Sequence, residues 1–187
     1  MKLIVGLGNY PKKYEKTRHN AGFIAVDAYC KTHEINLNET KFNGVFAKFK
    51  NDFIIAKPLT LMNLSGIFIE QIIKFYQIAI EDILILCDDI YTPVGQIVLK
   101  EDSSSGGHNG LNNIFDLLHT QKIKRIKIGV GIYQETTISI IDYVLQNLSA
   151  NDYTTITQQI CPLTTAIIDD FINNVEWKKI VQKYSKK

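Results

Sequence analysis

The sequence predicts one α/β domain of three layers, a twisted, mixed and mostly parallel sheet flanked by helices. Three observations predict it. Short apolar runs rich in Ile, Val and Leu alternate with segments whose apolar residues recur at helical spacing. The first run, Lys2 to Gly8, is apolar on both faces and ends in glycines, as a buried central strand does. The chain has 187 residues, 45% hydrophobic and 21% charged, enough for one sizeable core and too apolar for disorder.

The elements follow in order. Ala21 to about His33 reads as a helix with Ala21, Ile24, Ala25 and Ala28 on one face. Val45–Lys50 and Asp52–Lys57 read as a hairpin turning at Asn51. Leu64–Ile78 is an amphipathic helix that buries Ile69, Ile72, Ile73 and Tyr76. Asp82–Cys87 and Gln96–Lys100 are strands. Asn109–His119 is a helix facing inward through Leu111, Ile114, Phe115 and Leu118. Arg125–Ile132 is a strand, and Ser139–Leu145 and Ala150–Asn174 are helices. One domain spans 1–187, with a basic tail over about 178–187 that need not be ordered.

Composition excludes several function classes. The net charge of +2 excludes a charge-dominated polyanion binder, although Lys122, Lys124, Arg125 and Lys127 cluster locally. Taken alone, a solvated surface is the better account of such a cluster. Cys30, Cys87 and Cys161 are widely spaced without a CxxC, which argues against disulfides and zinc and fits a reducing cytoplasm. MKLIVGLGN reads as a strand, not a leader, and no apolar run reaches membrane-spanning length, so no membrane partner is expected.

Chemistry in open α/β sheets gathers at the carboxyl ends of strands. Asn9 follows the first strand there, and Asp88 and Asp89 follow DILILC. GLGNYP does not make a dinucleotide site, because Pro11 takes the place of the third glycine and no acid follows at the required distance. His19 precedes a helix N-terminus, whose dipole disfavours imidazolium, while a nearby carboxylate favours it and fixes the tautomer. Asp88 is the natural partner, and the pair would make His19 a general base acting on water. Asn63 and Asn109 each open a helix. They are N-caps on the plain reading and amide donors to a carbonyl oxygen on the functional one. His108 and His119 are eleven apart with no HExxH, so a metal hydrolase is not expected. No G-x-S-x-G is present, and Asp88 beside Cys87 disfavours a thiolate.

GLGN followed by Tyr14, then TRHNAG (Thr17–Gly22), MNLSG (Met62–Gly66), Asp88 at a strand end and GGHNGL (Gly106–Leu111) together resemble the bacterial-type peptidyl-tRNA hydrolase family. Order and spacing hold from Lys2 to about Lys179. The resemblance implies hydrolysis of the ester between a peptide and the 3′-terminal ribose of tRNA, without metal or organic cofactor, by a cytoplasmic monomer. It implies His19 as catalytic base, Asp88 as its orienting carboxylate, and Asn9, Tyr14, Met62, Asn63 and Asn109 as substrate-binding residues. Asn20 would give structural support, and Arg18 would hold its loop through salt bridges. Lys100, Arg125 and Lys127, with the basic tail, would contact tRNA phosphates. The competing reading is a non-catalytic RNA-binding relative of the splicing-cofactor type, against which the full set of polar residues speaks.

The chain departs from the family pattern in places. HDELDLPPG is here CDDIYTPVG (Cys87–Gly95), so an acid of that pattern is Tyr91. NPG is here Asn9-Tyr10-Pro11, the residue after HNGL is Asn112, the residue before Met62 is Leu61, and the glycine-rich loop is rich in serine.

Overall fold

The computed structural model describes residues 1–50, 52–134 and 138–185. Asn51, the expected hairpin turn, and Lys186 and Lys187 of the basic tail lie outside them. The chain runs β1 (Lys2–Gly6), α1 (Ala21–Thr32), β2 (Glu39–Lys41), β3 (Gly44–Phe49), β4 (Phe53–Pro58), α2 (Ser65–Tyr76), β5 (Ile83–Asp89), β6 (Ile97–Asp102), α3 (Asn109–Leu118), β7 (Lys122–Gly129), α4 (Ile140–Leu145), α5 (Ala150–Thr155), α6 (Cys161–Ile172) and α7 (Trp177–Tyr184).

One sheet takes the order β2-β3-β4-β1-β5-β7-β6. Its centre, β4-β1-β5-β7, is parallel, and antiparallel strands extend both sides. Strand alternation divides the core into two. Ile4, Leu84, Leu86, Ile126 and Ile128 face α1, α6 and α7. Leu3, Val5, Ile83, Ile85 and Cys87 face α2 and α3. The chain leaves β1 towards β4 and returns across to β5, so the order reverses between β1 and β5 and opens a crevice at their carboxyl ends.

Several expectations are corrected. The strand expected over Arg125–Ile132 is Lys122–Gly129, which puts Arg125 in mid-strand with no exposure. The helix expected over Ala150–Asn174 is interrupted by a π-helical stretch at Ile156–Ile160. Pro162 accounts for this: it lacks an N–H and its ring would collide with the carbonyl four residues back, so the wider turn relieves it. The tail is not loose up to Tyr184. Trp177, Ile180, Val181 and Tyr184 have helical spacing under the lysines, and Trp177 and Ile180 are buried. Lys183 Nζ (2.8 Å) and Tyr184 Oη (2.9 Å) then dock on Asp170 of α6. The strand β2 was not anticipated, because its three residues are all exposed and form a charged edge.

Candidate active site

Two glycines, Gly6 and Gly22, bring α1 onto the strand tips, and a Cβ on Gly6 would overlap Gly22 O. A Cβ on Gly22 would overlap Leu86 O and lie 2.6 Å from both N and O of Leu7. Only hydrogen lets the helix settle there, with Phe23 N–H donating to Leu7 O (3.2 Å) and Leu7 N–H to Leu86 O (2.8 Å). The short 3-10 turn Arg18–Asn20, which opens α1, is thereby laid over the ends of β1 and β5. Strand parity does the rest. Asp88 shares a sheet face with Leu84 and Leu86, the face that α1 covers.

There His19 Nδ1 lies 2.8 Å from Asp88 Oδ1, with both side chains buried. Nδ1 therefore carries the proton donated to the carboxylate, which leaves Nε2 as a bare base. Among the described residues Nε2 has no hydrogen-bond partner. Burial alone would lower the His19 pKa. The adjacent Asp88 charge and its hydrogen bond outweigh this, and the net shift is upward. Asp88 is buried too, which favours its neutral form, yet His19 and His108 hold it well below the usual carboxylate range.

His108 was missed in the sequence. Its Nε2 lies 3.0 Å from the same Asp88 Oδ1, and its ring centroid is 4.9 Å from that of His19. Its Nδ1 accepts the Leu111 N–H (3.2 Å) and so caps α3. An acceptor at Nδ1 requires the proton on Nε2, so His108 also donates to Asp88. The signal lay in GGHNGL, where His directly precedes a helix, as His19 nearly does. The expectation that Asn109 caps α3 is corrected, since His108 takes that place. Asn63 caps nothing either, because α2 begins after Leu64 without a side-chain cap.

The asparagines divide into two kinds. Asn9 is 6% exposed. Its backbone N–H donates to Asn20 Oδ1 (2.8 Å), Asn20 Nδ2 returns a bond to Asn9 O (3.1 Å), and Asn9 Oδ1 accepts the Met62 N–H (2.8 Å). Only its Nδ2 is left over. Asn63 and Asn109 are exposed at the openings of their helices. Met62 is buried, and its sulfur lies against Gly110. Tyr14 is half-buried, and its carbonyl receives the Thr17 hydroxyl (2.8 Å). Its ring lines neither of the two cavities that adjoin this region.

One of those cavities is a narrow cleft lined by His19, Asp88, Tyr91, Gly106, Gly107, His108, Asn109, Ile140 and Ile141. The other is a groove of about 800 Å³ on the far side of the Asn9–Asn20 pair, walled by Tyr10, Lys12, Phe23 and Tyr153. It is the larger, yet it contains neither His19 nor Asp88. The base therefore opens on the cleft with Asn109, while Asn9 lines the groove and Met62 and Asn63 line neither cavity.

The three expected phosphate contacts differ. Lys100 is exposed on β6. Arg125 is not a surface cation: Nη1 donates to Ser103 O (3.0 Å), Nη2 to Ser103 Oγ (3.0 Å), and Phe115 lies under the guanidinium at 5.1 Å. It anchors the serine-rich segment leading to Gly106–His108. Lys127 is paired with Asp89 at 2.9 Å and lies beneath Gly106. Among the described residues no acid pairs with Arg18, which holds its loop by other means. It donates to Asn147 O (3.2 Å) and Gln146 Oε1 (3.4 Å) and lies 4.5 Å over the Tyr143 ring.

Two further chemistries can be weighed. Burial, then the neighbouring Asp88, pushes the Cys87 thiol far up, so it offers no thiolate. His19, Asp88 and His108 have ligand atoms within 4.8 Å of one another, a spacing a metal ion could use. Binding at His108 Nε2 would move its proton to Nδ1, against the Leu111 N–H, and uncap α3. The donor set therefore fits a hydrogen-bonded relay better than a metal site. Among the described residues no helix is long and apolar enough to cross a membrane.

A family model described as peptidyl-tRNA hydrolase matches residues 3–187. The chain is 45% identical over 177 residues to the peptidyl-tRNA hydrolase of Metamycoplasma arthritidis, covering 95% of each protein. It is 43% identical over 186 residues to that of Malacoplasma penetrans, covering 98% of this chain and 97% of the other. The crystal structure of peptidyl-tRNA hydrolase from Acinetobacter baumannii superposes with a TM-score of 0.86 at 30% identity, covering 99% of this chain and 93% of that one.

Proposed function

The chain belongs to the peptidyl-tRNA hydrolase family and is a carboxylic ester hydrolase acting on peptidyl-tRNA, and from that premise we propose which of its residues do the work. His19 Nε2 removes a proton from water as the oxygen attacks the ester carbonyl. Asp88 holds the tautomer and stabilises the imidazolium that forms. Asn9 Nδ2, with the exposed amides of Asn63 and Asn109, donates to the oxygen that gains charge. Collapse breaks the bond to the ribose oxygen, which leaves with the proton held on His19. Tyr14 and Met62 shape the surroundings, Met62 by fixing the turn that presents Asn63. Lys100 meets phosphate, and Lys127, held by Asp89, supports the glycine loop from beneath.

The observation that supports this best is the His19 Nδ1–Asp88 Oδ1 bond of 2.8 Å with Nε2 left bare. An ester needs no stronger nucleophile than activated water. A positioned base contributes about 100- to 10,000-fold, and one oxyanion donor about 100- to 1000-fold. The non-catalytic RNA-binding alternative is not favoured, since an RNA-binding surface has no use for a buried, tautomer-fixed base. We read residues 1–187 as one domain that works as a cytoplasmic monomer without cofactor.

Hydrolysis of N-acetylaminoacyl-tRNA tests the assignment. Wild type is active with or without chelator, and His19→Ala loses at least about 100-fold in kcat. Activity surviving His19→Ala would overturn the role of His19, and activity abolished by chelator would overturn the metal-free mechanism.

A further inference from the structure

We infer that Tyr91 is a stacking platform for the unpaired 3′-terminal nucleobase of the tRNA, an inference that rests on the proposed role of His19. The ester that His19 reaches is carried on the terminal ribose, so the base on that same sugar must lie against the walls of the cleft beside His19. Those walls suit a flat heteroaromatic ring. Tyr91 lines the cleft two residues beyond β5 and is 60% exposed. Among the described residues its ring has no aromatic partner and its hydroxyl no hydrogen bond.

The same cleft is lined by Ile140 (45% exposed) and Ile141 (59% exposed) of α4. At Gly106 and Gly107 the loop presents backbone only. Gly106 and Gly107 have φ of +65° and +80°, a Cβ on Gly106 would lie 3.4 Å from Tyr91 Cε2, and one on Gly107 would meet nothing within 4 Å. The cleft itself is narrow, so a ring would lie along the exposed face of Tyr91 at its mouth, where Gly107 leaves open space, with His19 and Asn109 lining the same cleft. Stacking on an aromatic side chain accepts any base, because each has a π-face.

The test compares wild type, Tyr91→Ala, Tyr91→Phe and His19→Ala on N-acetylaminoacyl-tRNA, intact or with an abasic 3′-terminal nucleotide. Circular dichroism checks that each variant is folded. On intact substrate Tyr91→Ala raises KM about tenfold, equivalent to about 1.4 kcal/mol, with kcat within about twofold, and Tyr91→Phe behaves as wild type. The abasic substrate raises the wild-type KM by a similar factor, and Tyr91→Ala adds nothing to it. An unchanged KM for Tyr91→Ala, or an equal effect on both substrates, overturns the platform; the latter would assign Tyr91 to the peptide side or to structure. Loss of the His19 reading would show separately, as kcat retained in His19→Ala.

Discussion

His19 and His108 stand on either side of one carboxylate oxygen, their ring centroids 4.9 Å apart and their planes tilted by 48°. They arrive from opposite layers of the domain, His19 ahead of α1 and His108 ahead of α3, and both donate to Asp88 Oδ1. One buried charge therefore fixes two imidazole tautomers and ties both helix starts to the end of β5. The base and the loop that borders its cleft share a single anchor.

The pH dependence follows from the sign of the His19 shift. Its pKa is raised from 6.5, because Asp88 outweighs burial. The neutral base therefore accumulates only above that raised value, and kcat/KM should climb with pH through an apparent pKa above 6.5. Asp88→Asn leaves burial unopposed, so the inflection should fall below 6.5. The rate should fall as well, though less than in His19→Ala. A pH–rate profile of both enzymes decides it; coincident inflections would remove Asp88 from the tuning of His19.

The same pair bears on stability. A histidine pKa raised on folding stabilises fully below pH 6.5, and that stability is lost as pH rises through the folded value. An aspartate pKa depressed on folding stabilises above its ordinary value of 3.8, and that stability is lost as pH falls. These are two views of one interaction. Wild type minus His19→Ala stability, from denaturant melts, should thus be greatest between about pH 4 and 6.5. A flat difference would show that the pair contributes no charge-dependent stability.

His108 does two jobs that substitution can separate. His108→Ala removes the α3 cap, which costs about 0.5–2 kcal/mol, and removes one donor from Asp88. With that donor gone, Asp88 pulls harder on the His19 proton, and the kinetic inflection should move further up. His108→Asn keeps a good capping residue but lacks the reach to Asp88. Thermal melts should therefore recover while the inflection stays raised. If both properties return together in His108→Asn, the shared carboxylate does not tune the base.

Legibility in the sequence followed periodicity. The central strands and α1 to α3 were legible because their apolar residues repeat at 2 or 3.6 with both core faces occupied. So was the His19–Asp88 pair, since both residues sit where strand ends and helix starts meet. The α7 helix was hidden because lysines fill the gaps between Trp177, Ile180, Val181 and Tyr184 and dominate the composition. The fate of Arg125 was hidden for another reason. A cation in a basic run reads as surface, and only the register beside Ile85 and the loop over Phe115 reveal that it is enclosed. His108 is not legible from spacing, because its separation from His119 carries no metal pattern and the Asp88 that joins it to His19 is twenty residues upstream.

Gly22→Ala tests how His19 is positioned. The added methyl would meet backbone atoms of Leu7 and Leu86, which cannot turn aside as side chains can. Overpacking of this kind costs about 1–3 kcal/mol, and α1 must lift from the sheet. Even where the variant remains folded, kcat should fall by at least about tenfold, because small misplacements of a catalytic group are costly. Wild-type kcat in a variant of lowered melting temperature would show that His19 is positioned independently of this contact.

The basic residues should separate by what they hold. Arg125 is enclosed and its guanidinium satisfies the carbonyls of Ser103 and its neighbours, so Arg125→Gln should cost more than about 2 kcal/mol of stability. It should leave the salt dependence of tRNA binding unchanged in whatever protein stays folded. Lys100→Gln should do the reverse: melting unchanged, and the slope of log KM against log salt reduced by about 0.7–0.9, the loss of one phosphate contact. A short N-acetylaminoacyl nucleotide ester lacks that phosphate, so its KM should not respond to Lys100→Gln. Reversal of the two patterns would mean that the β7 arginine faces the nucleic acid after all, and that Lys100 on the neighbouring edge strand does not.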